Sequence, residues 1–262
     1  MKKFLLVELV VLISAFFILW ASLIILKIVP DDIEINIISV EQEKNIGRLV
    51  FDSFYDESDI ISNPTLDSAI SKISQRLIFG VGKSDYIYQI FVVRDKEINA
   101  FALPGGYIII FSGLIEFTEN PTELASIIAH EIGHIELSHV RERLIKEIGL
   151  TTSFLILVND PNIISEVGRI IISTIFDRQQ ESEADEYSMK LITKCNLDPH
   201  SIGVFFKRLM EGEKDYSFLS EFLNTHPSIE KRIKKSLEYK TPDGFQEDSL
   251  QIDWDKVKLS FK

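Results

Sequence analysis

His130, Glu131 and His134 stand in the stretch AHEIGHIELSHV, residues 129–140. On an α-helix, residues four apart lie about one turn from each other, so both imidazoles share a face and can bind one cation. Glu131 lies about 100° round from His130, which sets its carboxylate beside the cation rather than on it. Two imidazole ligands with an adjacent carboxylate base are what metal-assisted hydrolysis of an amide requires. The pattern implies one Zn2+ per chain on His130 and His134, with Glu131 as general base. His139 follows His134 by five residues, about 140° away on a continuous helix, so it packs or hydrogen-bonds beneath the site and does not ligate. Leu137 and Val140 stand where an extended three-histidine pattern would need glycine and histidine.

A hydrolytic zinc site takes a third protein ligand and keeps one position open. The acidic stretch ESEADEYS offers Glu181, Glu183, Asp185 and Glu186, and spacing alone does not choose among them. Ala184 is small enough to let this helix cross closely against the first.

Other elements must hold these two helices. Asn120-Pro121-Thr122-Glu123 reads as an N-cap, a first-turn proline and a closing capping-box glutamate, opening a helix that runs through Ile145. Asp177 with Gln180 caps the helix carrying the acidic stretch. Residues 65–79 have helical apolar spacing at Leu66, Ile70, Ile73 and Leu77. Residues 86–95 are β-rich, and residues 98–113 read as two short strands around Pro104-Gly105-Gly106. Residues 162–176 read as a largely buried helix. The fold class expected is α+β, mainly α, with a small antiparallel sheet.

Charge and hydropathy bound the partners. The 262 residues carry 28 Lys+Arg against 40 Asp+Glu, a net charge of −12, which argues against a nucleic-acid partner. The single cysteine, Cys195, forms neither an internal disulfide nor a cysteine-type metal site. Phe4–Leu26 is apolar apart from Glu8 and would run about 35 Å as a helix, enough to cross a bilayer core of about 30 Å. A cleaved signal peptide would have a shorter apolar run and a small-residue cleavage site, so an uncleaved transmembrane anchor is expected. Lys2 and Lys3 before the run, against Asp31 and Asp32 after Lys27, put the N-terminus in the cytoplasm and the catalytic domain outside, periplasmic in a Gram-negative bacterium.

Four stretches, NAFALPGG (99–106), AHEIGHIELSH (129–139), ESEAD (181–185) and THPSIEKRI (225–233), together resemble the membrane-associated zinc metallopeptidases that include the CAAX prenyl protease, HtpX, Oma and BepA-type enzymes. The resemblance implies a zincin-like fold and endopeptidase activity. It selects Glu183 as third ligand, and Asp185 as an acid that orients a ligand histidine. It offers His226 as an oxyanion stabiliser or a removable fourth ligand, and Arg232 as an anchor for that segment or a counter-charge to buried carboxylates. It makes Asn99, Ala100, Phe101, Ala102 and Leu103 a sheet edge for extended substrate, with Gly105 and Gly106 permitting the turn behind it. The resemblance is to the single-anchor branch, and the helical repeats of BepA-type members are not expected here.

The organisation expected is an anchor over 1–29, a linker over 30–58, a zinc metallopeptidase domain over 59–245 and a C-terminal tail over 246–262 with a β-like end. Expected substrates are unfolded or misassembled envelope polypeptides. The rival function is a latent, zinc-bound, chaperone-like binder of such clients.

Overall fold

The computed structural model of the chain describes residues 38–146, 161–173, 176–212 and 229–261. Three strands form one sheet in the order β1-β3-β2: β1 is Gln89–Val93, β2 is Ala100–Leu103 and β3 is Tyr107–Phe111. β2 pairs antiparallel with β3, but β1 runs parallel to β3, so the sheet is mixed where a purely antiparallel one was expected. The reason is that β3 inserts between β1 and β2, which follow each other in sequence without pairing. Alternation then splits the strands between two apolar clusters. Ala100, Ala102, Ile108 and Ile110 face one, while Phe101, Leu103, Ile109 and Phe111 face the other.

The first cluster lies under α2 (Pro64–Val81) and α4 (Pro121–Glu136); a short helix, α3 (Ser112–Phe117), leads from β3 toward α4. Asn63 caps α2 by accepting from the Thr65 and Leu66 amides, and Leu66, Ala69, Ile70, Ile73 and Leu77 are buried at helical spacing. The second cluster is covered by α1 (Val40–Phe54) and α5 (Pro161–Ser173). α1 lies within the stretch expected to be a linker. Ser39 and Gln42 form its capping box, and Ile46, Val50 and Phe51 bury one face against the sheet.

Asn120 caps α4 as expected, accepting from the Thr122 and Glu123 amides. Glu123 does not close the capping box; its carboxylate accepts from the Glu119 amide and pairs with Arg208 at 2.6 Å. α4 also stops earlier than the Ile145 expected. Leu137 caps it, Ser138 turns left-handed at φ 64°, and residues 139–146 resume as a helix in a new direction.

The remaining helices are α6 (Arg178–Lys194), α7 (Ser201–Gly212), α8 (Ile229–Leu237) and α9 (Trp254–Leu259). α9 lies in the expected tail, where a β-like end was anticipated. Asp253 caps it, and Trp254, Val257 and Phe261 bury a helical stripe, with the Trp254 indole donating to the Thr118 carbonyl at 3.1 Å. Among the described residues no helix is long and apolar enough to cross a membrane. The expected anchor, Phe4–Leu26, lies outside the described residues.

Candidate metal centre

α4 and α6 cross at their smallest residues. A methyl group on Gly133 would lie 3.2 Å from the Ala184 carbonyl oxygen, and the Ser188 hydroxyl donates to the Ser126 carbonyl at 2.7 Å. The crossing brings His130, His134 and Glu181 together, all fully buried. His130 Nε2 lies 3.1 Å from His134 Nε2. Glu181 reaches within 3.3 Å of His134 Nε2 and 3.6 Å of His130 Nε2.

Those separations test whether a cation fits. Tetrahedral zinc, with bonds of about 2.0–2.1 Å, sets its ligand atoms about 3.3 Å from one another. The donor set, two imidazoles and a carboxylate, is that of hydrolytic zinc sites. The three residues therefore fit the ion in both spacing and chemistry.

The carboxylate at the site is Glu181, not the expected Glu183. Two residues turn a helix through about 200°, so only one of the pair can face α4. The buried stripe of α6 is Glu181, Ala184, Asp185 and Ser188, and Glu183 falls off it. The Glu183 side chain is 46% exposed, against 1% for Glu181. It lies 3.2 Å from His139 Nε2 and accepts from the Gln179 side-chain Nε2 at 2.9 Å.

Around the donor atoms the partners are fixed. Asp185 lies 3.1 Å from His130 Nδ1, so a proton held there leaves the Nε2 lone pair toward the site. Arg232 grips both Asp185 oxygens at 2.7 Å and lies 2.6 Å from Glu181. Burial alone would raise the Asp185 carboxyl, but Arg232 and His130 bring it down to about 2. Burial likewise opposes the Arg232 charge, and Asp185 and Glu181 more than restore it. Arg232, on the helix Ile229–Leu237, thus stands between the two buried carboxylates Asp185 and Glu181.

His139 Nδ1 lies 3.1 Å from His134 Nδ1. The Ser138 turn makes this contact, because on a continuous helix the ring would face elsewhere. Burial holds the His139 imidazole below its ordinary pKa, against the pull of Glu183. Phe176, which the sequence did not single out, stacks on the His134 ring at 3.7 Å, and Arg143 lies 4.0 Å over Phe176. Glu131 is fully buried on α4, one residue from His130.

β2 is the edge of the sheet nearest α4 in sequence and packing. The Phe111 amide donates to the Asn99 carbonyl, so in this antiparallel pair Asn99, Phe101 and Leu103 face β3. The peptide groups of Ala100 and Ala102 therefore point away from β3, and both residues are fully buried. Arg143 donates to the Ala102 carbonyl at 3.3 Å. Asn99 is buried at the start of this edge, and Gly105 and Gly106, both at positive φ, form the turn behind it. His226 lies outside the described residues.

The profile of Peptidase family M48 matches residues 63–240, which holds both site helices and β2. The beta-barrel assembly-enhancing protease of Escherichia coli is 26% identical over 75% of this chain and 43% of its own length. The mitochondrial metalloendopeptidase OMA1 of Schizosaccharomyces pombe is 26% identical over 78% of this chain and 63% of its own. Metalloprotease LoiP of Escherichia coli is 27% identical over 59% of this chain and 64% of its own. The chain spans less than half the length of the beta-barrel assembly-enhancing proteases it matches. With the profile covering most of the chain and the buried His130–His134–Glu181 cluster at its centre, the chain belongs to peptidase family M48.

Proposed function

We propose that the chain is a membrane-anchored, zinc-dependent endopeptidase that cuts misfolded or unassembled polypeptides of the cell envelope. The observation that carries this reading is the set of three buried donor groups 3.1–3.6 Å apart, with Glu131 buried on the same helix one residue after His130. His130, His134 and Glu181 would hold the zinc. When bound, the ion supplies Lewis acidity, making water nucleophilic near neutral pH and polarising a carbonyl.

The chain's own residues do the rest. Glu131 takes a proton from the attacking water and returns it to the leaving amine nitrogen. Asp185 fixes the His130 tautomer, and Arg232 supplies the counter-charge that Asp185 and Glu181 share. The peptide groups of Ala100 and Ala102 that point away from β3 bind an extended backbone by strand addition, which favours unfolded chains over one fixed sequence. His226 is the candidate stabiliser of the oxyanion. The relatives' names, which speak of beta-barrel assembly and of a mitochondrial endopeptidase, support a role in protein quality control. The apolar run Phe4–Leu26 supports a single span with the N-terminus cytoplasmic and the catalytic part outside.

One feature favours a second reading, a latent client-binding protein. Arg143 already occupies the Ala102 carbonyl, and Glu131 is fully buried. Dye-quenched casein separates the two. The protease reading expects cleavage by the wild type and none by Glu131→Gln with its zinc retained. A zinc-loaded wild type that binds casein without cutting it establishes the latent form.

A further inference from the structure

Glu43 lies on α1, outside the stretch matched by the family profile, yet its side chain is only 2% exposed. Its carboxylate accepts from Arg141 Nε, from the Tyr86 hydroxyl at 3.2 Å and from the Gly105 backbone amide. Arg141 Nη2 donates to the Tyr86 hydroxyl at 2.8 Å, which closes the cluster. Three separate parts of the chain thus meet on one buried carboxylate.

Each part leads to the site. Gly105 is the left-handed residue, φ 75°, of the turn that joins β2 to β3. A methyl group there would lie 2.2 Å from Lys44 Cα, and one on Gly47 would lie 1.9 Å from the Pro104 carbonyl oxygen. α1 and the turn therefore touch backbone to backbone, a contact only glycine allows. Arg141 stands in the helical residues 139–146, two positions after His139, which touches His134. Tyr86 leads into β1.

We infer that Glu43 is a positioning residue: through Gly105, Arg141 and Tyr86 it holds the edge of β2 that points away from β3 in place beside the metal-binding face of α4. The inference rests on the reading of β2 as the strand that binds extended polypeptide. The buried carboxylate would be conspicuously costly without its partners, since an unpaired charge at such a site is strongly destabilising. α4 and α6 are held to each other by Gly133–Ala184 and Ser126–Ser188, so loss of Glu43 leaves the metal ligands in place.

The test compares full-length wild type with Glu43→Gln, Glu43→Ala and Tyr86→Phe. With dye-quenched casein, Glu43→Ala is expected to raise KM about 10-fold with kcat within about 3-fold and zinc content unchanged, the signature of lost ground-state binding. Glu43→Gln, which keeps an acceptor for the Gly105 amide, is expected to fall between Glu43→Ala and wild type. If Glu43→Ala does not fold, Glu43→Gln and Tyr86→Phe carry the same comparison. Hydrogen exchange gives a readout that does not depend on hydrolysis. Amides of residues 100–109 are expected to lose protection in Glu43→Gln while those of α4 and α6 keep it. Unchanged KM in folded variants, or unchanged exchange at 100–109, overturns the inference. A wild type that cuts nothing, with exchange altered as expected, leaves Glu43 as the positioning residue and sinks the protease reading instead.

Discussion

Gly133 and Ala184 touch where the two site helices cross: a methyl group on Gly133 would sit 3.2 Å from the Ala184 carbonyl oxygen and 3.3 Å from its Cα. Gly133 lies one residue before His134, and Ala184 one residue before Asp185. The closeness of this contact sets how far the Glu181 carboxylate stands from the two imidazoles.

Gly133→Val inserts a branched side chain into that crossing. Overpacking of this kind costs about 1–3 kcal/mol. The expected result is a lower Tm together with loss of bound zinc, read by thermal denaturation and metal analysis. A variant that binds one zinc at the wild-type Tm contradicts the role given to this contact.

Arg232→Met removes the cation that Asp185 and Glu181 share. Two buried carboxylates are left without a counter-charge, and the loss expected is about 3–5 kcal/mol in urea unfolding. Arg232→Lys is expected to recover little, because an ammonium cannot match the two parallel bonds to Asp185. Full recovery by lysine counts against the bidentate geometry.

Asp185→Asn keeps the shape but weakens the acceptor at His130 Nδ1. Zinc affinity is expected to fall about 10–100-fold in a chelator competition titration. An unchanged affinity means that His130 is oriented by something else.

Removing the metal is expected to lower Tm, because a cation bound only by the folded state stabilises it. At a free concentration of about 100 times Kd the contribution is about 2.7 kcal/mol. A chelator should lower Tm in the wild type and zinc should restore it, while His134→Ala responds to neither.

The parts of the fold legible in the sequence are those written in local chemistry. Asn120-Pro121 and Asp177 with Gln180 announce both site helices, and both begin where the caps stand. The two imidazoles on one face of α4 follow from helical spacing alone. The third donor required a choice between helix faces. Its signal was present, since Glu181, Ala184, Asp185 and Ser188 fall at the spacing of one buried stripe. Reading outward from Ala184, the residue expected at the crossing, reaches Glu181 rather than Glu183.

What the sequence hid depends on distant packing. Nothing local in Leu137-Ser138 announces the break that swings His139 onto His134. The parallel pairing of β1 with β3 depends on β3 entering between its predecessors, which strand propensity does not encode. α1 falls in a stretch whose acidic, mixed composition reads as a linker, although Ile46, Gly47, Val50 and Phe51 lie on one face. Glu43 gave no sign of burial, because its partners come from residues 86, 105 and 141.

The most direct test of the metal site is the zinc content of purified Glu181→Ala beside Glu183→Ala. The geometry predicts that Glu183→Ala keeps one zinc per chain and that Glu181→Ala loses it. Zinc retained by Glu181→Ala and lost by Glu183→Ala would contradict the site described.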